Sequence, residues 1–149
     1  MSDKPSRETT LDAKVVKTLV ERAQEARNVS YSPYSHFRVG ACLLAKNGKY
    51  YSGANVENVS YGLTICAERT CLVKMVTDGC LKAKAIAVAS DVEDFISPCG
   101  MCRQSLAEFC DPDVEVLMTR GDGSFVCITV SDLVPLLFTP SALEDGTRA

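Results

Sequence analysis

Two stretches of this sequence decide its interpretation: Thr64-Ile65-Cys66-Ala67-Glu68-Arg69 and, about thirty residues later, Ser97-Pro98-Cys99-Gly100-Met101-Cys102-Arg103. Zinc prefers thiolate and imidazole ligands, and a catalytic zinc site supplies three of them so that water can occupy the fourth position. Neither Cys-x-Glu nor Cys-x-x-Cys means much alone. Together they predict a metal site with Cys66, Cys99 and Cys102 as ligands and with Glu68 beside it as a carboxyl that does not bind the metal.

These cysteines also have simpler interpretations. Cysteine is often a small buried hydrophobic residue, and a Cys-x-x-Cys pair at the start of a helix can be a redox centre. A redox pair requires neither Cys66 nor Glu68, so the presence of both favours a metal. The other cysteines lack ligand spacing, and we expect core or surface thiols at Cys42, Cys71, Cys80, Cys110 and Cys127.

The composition limits the classes to which this protein can belong. The chain has 149 residues, enough for one domain with a real core, and its 46% hydrophobic and 23% charged residues are typical of a globular fold. Its longest apolar runs are far too short to span a bilayer. The net charge of −3 argues against a general electrostatic interaction with nucleic acid or an anionic membrane.

The cysteine content also indicates a compartment. Residues 1–10 are polar and contain no apolar signal-peptide segment. Eight cysteines without a secretory signal predict a reducing, cytoplasmic setting and not a disulfide framework.

Hydrophobic periodicity predicts one domain over residues 11–140, with a mobile tail at residues 1–10 and a loose tail at residues 141–149. The first element is an amphipathic helix that begins near Leu11 and is ended by the turn Ser32-Pro33-Tyr34-Ser35. A hairpin follows, with Asn47-Gly48 as a type I′ turn. The predicted strands are 37–45, 49–53, 83–90, 114–119 and 125–130, and the later helices are 66–77, 100–109 and 132–137, the last capped by Ser131.

This order of helices and strands predicts the α/β class, with a single sheet covered by helices on both faces. Both cysteine motifs fall where a loop enters a helix at the edge of the sheet, the usual place for ligands in open α/β sheets. Cys99 and Cys102, three residues apart in a first helical turn, share a face. Cys66 and Glu68 would diverge within a regular helix, so we predict that Cys66 occupies the non-helical cap position.

The charge of such a site needs compensation. Three thiolates around Zn²⁺ leave a net charge of −1, which disfavours the ionisation of a bound water. Two helix N-termini, each worth roughly half a positive charge, point at the thiolates. Arg69 and Arg103 lie next to the motifs, and we expect Arg69 in particular to add hydrogen bonds and positive charge around the ligands. The alternative for each arginine is an ordinary surface position.

Four motifs, in order along the chain, resemble cytidine deaminase. They are Ser32-Pro33-Tyr34-Ser35-His36-Phe37-Arg38-Val39-Gly40-Ala41, Gly53-Ala54-Asn55-Val56-Glu57-Asn58, Cys66-Ala67-Glu68-Arg69 and Ser97-Pro98-Cys99-Gly100-Met101-Cys102-Arg103-Gln104. The resemblance covers about residues 11–140. The chain length and the three-cysteine site are similar to the small homotetrameric branch and not to the larger dimeric branch, which has a histidine ligand. This implies an α/β/α sandwich with a mixed five-stranded sheet and one Zn²⁺ per chain.

The resemblance implies a reaction: the zinc-dependent hydrolytic deamination of free cytidine and deoxycytidine to uridine and deoxyuridine, with release of ammonia, as in pyrimidine salvage. Zinc lowers the pKa of a bound water and so supplies a nucleophile near neutral pH. Glu68 would carry protons from water to the ring nitrogen and to the departing amine, which requires an apolar pocket that raises its pKa. By itself, Glu68 would be interpreted as an acid at a helix N-terminus.

The resemblance also implies the residues that bind the nucleoside. By this resemblance Asn55 and Glu57 would bind the ribose hydroxyls, and residues two apart in an extended segment do share a side. Phe37 would line the pocket. The backbone of Ala67 and the side chain of Glu68 would hold the edge of the pyrimidine.

Two further aromatic residues imply an assembly. Tyr61 and Phe138 would complete the pockets of neighbouring subunits, so the resemblance implies a homotetramer with shared active sites. Without it, Tyr61 would be a loop aromatic and Phe138 a core residue. His36, the only histidine, falls at a position that the family does not use for metal, and we expect it to be structural.

Two other functions remain as alternatives. A structural zinc or thiol module would need neither Glu68 nor an open fourth position on the metal. A nucleic-acid cytosine deaminase would be expected to have a basic, aromatic-lined channel, which this acidic chain lacks, and Glu57 would repel a phosphate near the ribose. The predicted partners are therefore cytidine or deoxycytidine and other copies of this chain, with no nucleic acid and no membrane.

Overall fold

The computed structural model of the chain describes residues 6–146. The helices are α1 (Ala13–Ala26), α2 (Ala67–Thr77), α3 (Gly100–Phe109), α4 (Val130–Leu133) and α5 (Pro140–Gly146), and the strands are β1 (Val39–Ala45), β2 (Tyr50–Ala54), β3 (Ala83–Ser90), β4 (Cys110–Thr119) and β5 (Phe125–Thr129). None of the helices in this part of the chain is long and apolar enough to cross a membrane.

The strands form one mixed sheet in the order β2-β1-β3-β4-β5. β1 is antiparallel to both of its neighbours, β2 and β3, whereas β3 and β4 are parallel and β5 is antiparallel to β4. β2, β3 and β4 therefore run in the same direction. Because α2 follows β2 and α3 follows β3, both helices begin at the edge of the sheet where these strands end.

Helices cover both faces of the sheet, as predicted. On one face, α1 packs Leu19 and Ala23 against Cys42 and other small buried residues of the strands. On the opposite face, α2 and α3 contribute Met75 and Leu106 to the larger core. The α/β class and the mixed five-stranded sheet are thus confirmed.

The first helix is shorter than its hydrophobic pattern suggested. It begins at Ala13 because Asp12 is the N-cap and accepts a hydrogen bond from the Lys14 backbone N–H at 2.8 Å. It ends at Ala26 and continues as a 3₁₀ turn over Arg27–Val29. The prediction that the turn at Ser32–Ser35 ends this helix is therefore wrong, because the turn follows the helix after a separate 3₁₀ turn.

The hairpin lies where it was predicted, but its turn is of a different type. A type I′ turn requires positive φ at both central residues. Gly48 has φ +84°, whereas His36 is the non-glycine residue with positive φ in the described chain, so Asn47 does not qualify. Hydrogen bonds from Gly48 N to Ala45 O and from Ala45 N to Lys49 O define a three-residue loop with the glycine in the left-handed position.

The last part of the domain departs most from the prediction. Thr129, and not Ser131, caps α4, and it forms a capping box with Asp132. α4 ends at Leu133, because Pro135 disfavours the helical conformation at the residue before it. β4 begins four residues earlier than predicted, at Cys110, β5 ends one residue earlier, at Thr129, and the segment expected to be loose after Pro140 contains α5.

The described part of the predicted N-terminal tail is bound to the sheet. The Arg7 backbone N–H donates to Cys127 O at 3.0 Å, and the buried Glu115 carboxylate accepts hydrogen bonds from Thr9 and Thr10. Burial acts to raise the pKa of Glu115, but these hydrogen bonds outweigh it and hold the pKa below its ordinary range. The expectation of a mobile tail is therefore wrong for residues 6–10, and residues 1–5 lie outside the described chain.

We predict that Gly40→Ala destabilises the protein strongly. A Cβ at Gly40 would lie 2.1 Å from Ala23 O and 2.3 Å from Arg27 N, both backbone atoms of the segment that crosses β1. Overpacking of this kind typically costs about 1–3 kcal/mol and occasionally more, and rigid backbone on the other side places Gly40→Ala at the upper end. The measurement is thermal unfolding, with Gly121→Ala as the control, because no atom lies within 4 Å of its added Cβ. Equal melting temperatures for the two variants would contradict this account of the packing.

Candidate active site

The three cysteines of the sequence motifs meet where α2 and α3 begin. Cys66 is the N-cap of α2, with φ −71° and ψ 156°, and Cys99 is the N-cap of α3, with φ −67° and ψ 167°. The extended backbone at Cys66 is what the two-residue spacing to Glu68 required, so the predicted cap position is confirmed. Cys102 lies one turn into α3 and is fully buried.

The sulfur atoms are close enough to share one metal ion. The Sγ atoms of Cys66 and Cys99 are 3.8 Å apart, and all three Sγ atoms lie within 4.8 Å of one another. Thiolates that share a tetrahedral Zn²⁺ at ~2.3 Å have sulfur atoms roughly 3.8 Å apart. The donor set and its spacing therefore fit zinc.

Neighbouring thiols and one arginine set the electrostatics of the sulfur atoms. The hydrogen bond with Cys102, followed by interactions with Arg69 and Cys99, lowers the pKa of Cys66 to about 5. The same contact with Cys66 raises the pKa of Cys102. The Arg69 guanidinium lies 3.6 Å from Cys66 Sγ and also donates to Thr64 O at 3.1 Å. Arg69 thus contacts both the sulfur cluster and the loop that leads into α2.

Arg103 has a different role. Its guanidinium donates to Pro98 O at 2.8 Å, to Ser97 Oγ at 2.7 Å and to Leu133 O at 3.1 Å. These bonds fix the loop in front of Cys99 and tie it to the end of α4. The structure gives Arg103 no hydrogen bond to a sulfur atom, so its contribution is to position the loop.

Glu68 lies in the first turn of α2, and only 4% of its surface is exposed. Burial chiefly raises the pKa of its carboxyl, and the negative charge of Cys66 acts in the same direction. A carboxyl held in this way retains a proton nearer to neutral pH than an exposed one does. Glu68 thus combines a buried position in the first turn of α2 with a raised pKa.

Asn55 is buried and organises the backbone around it. Its Nδ2 donates to Phe37 O at 2.8 Å, and its Oδ1 accepts from Val39 N at 2.9 Å and from Ser30 Oγ. The other N–H of the amide has no hydrogen-bond partner among residues 6–146. Asn55 therefore fixes the segment that carries Phe37.

Glu57 lies on the same loop and is held by the turn at Pro33–Ser35. Its Oε1 accepts hydrogen bonds from the backbone N–H groups of Tyr34 at 3.0 Å and Ser35 at 3.1 Å, and its Oε2 accepts from Ser35 Oγ. These bonds, the one from the Ser35 hydroxyl first, lower the pKa of Glu57. Glu57 is therefore a carboxylate whenever the protein is near neutral pH.

A short bridge joins this loop to the sulfur cluster. Val56 and Ile65 exchange both backbone hydrogen bonds at 2.9 Å, which places Asn55 and Glu57 beside the segment that leads into Cys66. A cavity of about 250 Å³ lies next to the bridge and is lined by Tyr34, Ser35, Glu57, Tyr61 and Thr64.

The other predicted residues differ in burial. Ala67 is fully buried as the first residue of α2, where the backbone N–H has no partner within the helix. Phe37 is 37% exposed, whereas Tyr61 and Phe138 are 75% and 61% exposed. The Gln104 side-chain N–H donates to the backbone carbonyl of Phe138 at 2.9 Å. This bond holds the backbone of Phe138 against α3 while the ring stays exposed.

Sequence reasoning missed Tyr34 and Ser35 as parts of the site. Their backbone N–H groups hold Glu57, and the Ser35 hydroxyl also accepts a hydrogen bond from Phe37 N at 3.0 Å. The signal was available in Ser32-Pro33-Tyr34-Ser35, because a proline-containing turn exposes N–H groups that can bind an acid. His36, expected to be structural, is in the left-handed conformation with φ 56°.

Residues 13–118 match the family described as the cytidine and deoxycytidylate deaminase zinc-binding region. The chain belongs to this family. Its match covers more than half of the sequence and includes all three clustered cysteines and Glu68. The family carries a zinc-binding region, and the three-cysteine cluster of this chain can hold the zinc ion.

Individual members of the deaminase family are similar over almost their whole length. The cytidine deaminase of Halalkalibacterium halodurans is 47% identical over 127 residues, which are 85% of this chain and 96% of that protein. The probable cytidine deaminase of Dictyostelium discoideum is 48% identical over 83% of this chain and 84% of that protein. A crystal structure of cytidine deaminase from Burkholderia pseudomallei, 43% identical, has a TM-score of 0.79 and covers 82% of this chain and 98% of that one. The predicted family and fold are confirmed.

We predict that Cys99→Ala loses zinc, whereas Cys127→Ala retains it. Cys99 supplies one of three converging sulfur atoms, whereas Cys127 is buried on the other side of the sheet beside Glu115. The measurement is elemental analysis of the purified variants, with about one zinc per chain expected in the wild type and in Cys127→Ala. Equal zinc contents in the two variants would contradict the assignment of Cys99 as a zinc ligand and of Cys127 as a core thiol.

Proposed function

We propose that this protein catalyses the hydrolytic deamination of free cytidine and deoxycytidine to uridine and deoxyuridine, with release of ammonia. The observation that carries the proposal is the buried Glu68 two residues after Cys66, beside a cluster of three sulfur atoms at two helix N-termini. The similar proteins named above support it, because their names give cytidine deaminase as the activity.

Cys66, Cys99 and Cys102 would hold one zinc ion per chain. When bound there, zinc lowers the pKa of a water molecule and so supplies a nucleophile near neutral pH. The three thiolates carry more negative charge than the ion can offset, and the two helix N-termini and Arg69 supply the remaining compensation. Arg69 is thus proposed to support the ligands without touching the substrate.

Glu68 would move the protons of the reaction. Its carboxylate would accept one proton from water and deliver it to the ring nitrogen. It would then take the second proton from the hydroxyl added to the ring and deliver it to the amine, which leaves as ammonia. Oxygen adds to the amine-bearing carbon, the C–N bond breaks, and no electrons are transferred to a further reagent. The raised pKa of Glu68 favours both halves of this exchange, because an acid–base group works best with a pKa near the working pH.

The number of unused hydrogen-bonding sites on Asn55 and Glu57 supports a substrate that needs only one sugar hydroxyl for binding. A carboxylate has about four acceptor sites, and the turn at Pro33–Ser35 occupies three of those on Glu57. The Oδ1 of Asn55 is fully used, and one N–H of its Nδ2 is left. One donor and one acceptor together satisfy one hydroxyl group, which acts as acceptor and donor in turn. This arrangement supports the use of both cytidine and deoxycytidine.

Charge supports free nucleosides over nucleotides. The lowered pKa of Glu57 keeps it charged at neutral pH. A carboxylate beside the sugar repels a phosphate on that sugar, whereas Phe37 and the backbone of Ala67 offer an uncharged wall and edge to the base. Free cytosine nucleosides therefore fit the site better than phosphorylated or polymeric ones.

We further propose a homotetramer in which Tyr61 and Phe138 complete the pockets of neighbouring subunits. Both rings are largely exposed, and Leu136, two residues before Phe138, is 96% exposed. A contiguous exposed apolar surface usually marks an interface. A cytoplasmic location is proposed because the eight cysteines, all within residues 6–146, are free thiols.

We predict that Glu68→Gln retains zinc and loses nearly all turnover. General acid–base catalysis is typically worth about 10²–10⁴-fold, and Glu68 would serve more than one proton transfer, so the loss should reach at least that range. The test follows the ultraviolet change as cytidine becomes uridine, with Glu108→Gln on the exposed side of α3 as the control. Near-normal turnover in Glu68→Gln would refute its role. Zinc-loaded wild type that leaves cytidine unchanged would indicate a structural zinc module instead.

We predict that Phe138→Ala weakens cytidine binding while zinc remains bound. An aromatic contact is worth roughly 0.5–1.5 kcal/mol beyond the buried area, so KM should rise by up to about tenfold. Light scattering of the same sample should give a tetramer. A fully active particle with the 16.1 kDa mass of one chain would exclude shared sites.

A further inference from the structure

An arginine–aspartate network lies between the β3–α3 loop and the segment before β1. Asp91, the first residue after β3, accepts a bidentate pair of hydrogen bonds from Arg38, at 2.8 Å from Nε and 2.9 Å from Nη2. Arg27 approaches the same carboxylate at 3.3 Å and donates to Ser90 O at 2.6 Å. Three separate parts of the chain therefore meet at Asp91.

Each end of this network leads to a different half of the site. The loop that begins at Asp91 ends at Pro98 and Cys99, which belongs to the sulfur cluster. Arg38 lies between Phe37 and Val39, whose backbone atoms both bind the side chain of Asn55. The Arg38–Asp91 pair thus joins the loop of the metal cluster to the segment that lines the proposed nucleoside pocket.

That segment needs external restraint. His36 has φ 56°, in the left-handed region that non-glycine residues adopt only at some cost. Such conformations persist where the surroundings over-determine them. Here the restraints are the bond from Phe37 N to Ser35 Oγ, the two bonds to Asn55 and the Arg38–Asp91 pair.

We propose that Arg38 and Asp91 are positioning residues, which hold Phe37 and Asn55 at the correct distance from the sulfur cluster for a nucleoside to reach both. This inference rests on the proposed function. Isolated exposed ion pairs contribute little, but bidentate arginine–carboxylate pairs within a network are the ones whose geometry matters.

The effect should fall on nucleoside binding and not on the chemical step. Cys99 keeps its own supports when Asp91 changes, because Arg103 holds Pro98 O and Ser97 Oγ independently. Cys66 and Glu68 are fixed by α2. Loss of the pair therefore loosens one wall of the pocket and leaves the metal ligands and the proton carrier in place.

The experiment compares Arg38→Met, Asp91→Asn and the double variant with the wild type. Arg38→Met keeps most of the aliphatic stem and removes the guanidinium. Lys46→Met is the matched control, because the Lys46–Asp111 pair is similarly exposed, has a 3.0 Å contact and lies at the β1–β2 hairpin and the start of β4. For each protein we would measure KM and kcat for cytidine, the Kd of the product uridine by calorimetry, zinc content and melting temperature.

We expect KM and the uridine Kd to rise together by about three- to tenfold in Arg38→Met and in Asp91→Asn. kcat should stay within about twofold and zinc at one per chain. Asp91→Asn should be at least as impaired as Arg38→Met, because it also weakens the contact with Arg27. The double variant should be no worse than the more impaired single variant, because both substitutions remove the Arg38–Asp91 contact. Lys46→Met should match the wild type in all five quantities.

Unchanged KM and uridine Kd with a lower melting temperature would overturn the inference and leave the network a purely structural one. Additive effects in the double variant would also overturn it, because the two residues would then act separately. Wild-type protein that does not deaminate cytidine would instead refute the proposed function, and the positioning role would fall with it.

Discussion

The structure depends on bringing three thiol groups within 4.8 Å of one another at the edge of a sheet. Thiolates at this distance repel, so the arrangement is stable only where positive charge meets them. α2 and α3 supply it with their N-termini, and Arg69 adds a guanidinium 3.6 Å from Cys66 Sγ. The sheet makes this possible, because β2, β3 and β4 run in one direction and so both helices begin at the same edge.

The rest of the site is built around that edge by buried polar side chains. Asn55 satisfies its amide on the backbone of residues 37–39, and Glu57 is held by a turn that presents N–H groups to it. Among the described residues, these bonds leave one N–H of Asn55 and about one acceptor site of Glu57 unused. A strained residue, His36, and an ion-pair network at Asp91 set where the segment lies.

Local chemistry made some of this predictable. β3 and α3 have the predicted bounds. The bounds of β3 follow from its own apolar run, and the start of α3 follows from the local sequence Pro98–Cys99. The cap position of Cys66 followed from its spacing to Glu68. Other features were not predictable. Thr9 and Thr10 bind Glu115, which lies more than 100 residues away in the sequence. The hairpin loop and the Thr129 cap were each chosen among local alternatives of similar energy. The roles of Ser35 and Arg103 are set by tertiary contacts, which spacing alone does not contain.

The most direct test of the account is metal removal and return in the intact protein. Zinc would be removed with a chelator under reducing conditions, and cytidine turnover would be followed as zinc is added back. If the thiol cluster and Glu68 form one catalytic unit, turnover falls with the zinc removed and returns in proportion, with full activity at one zinc per chain. Undiminished turnover in protein shown to be free of zinc would contradict the account.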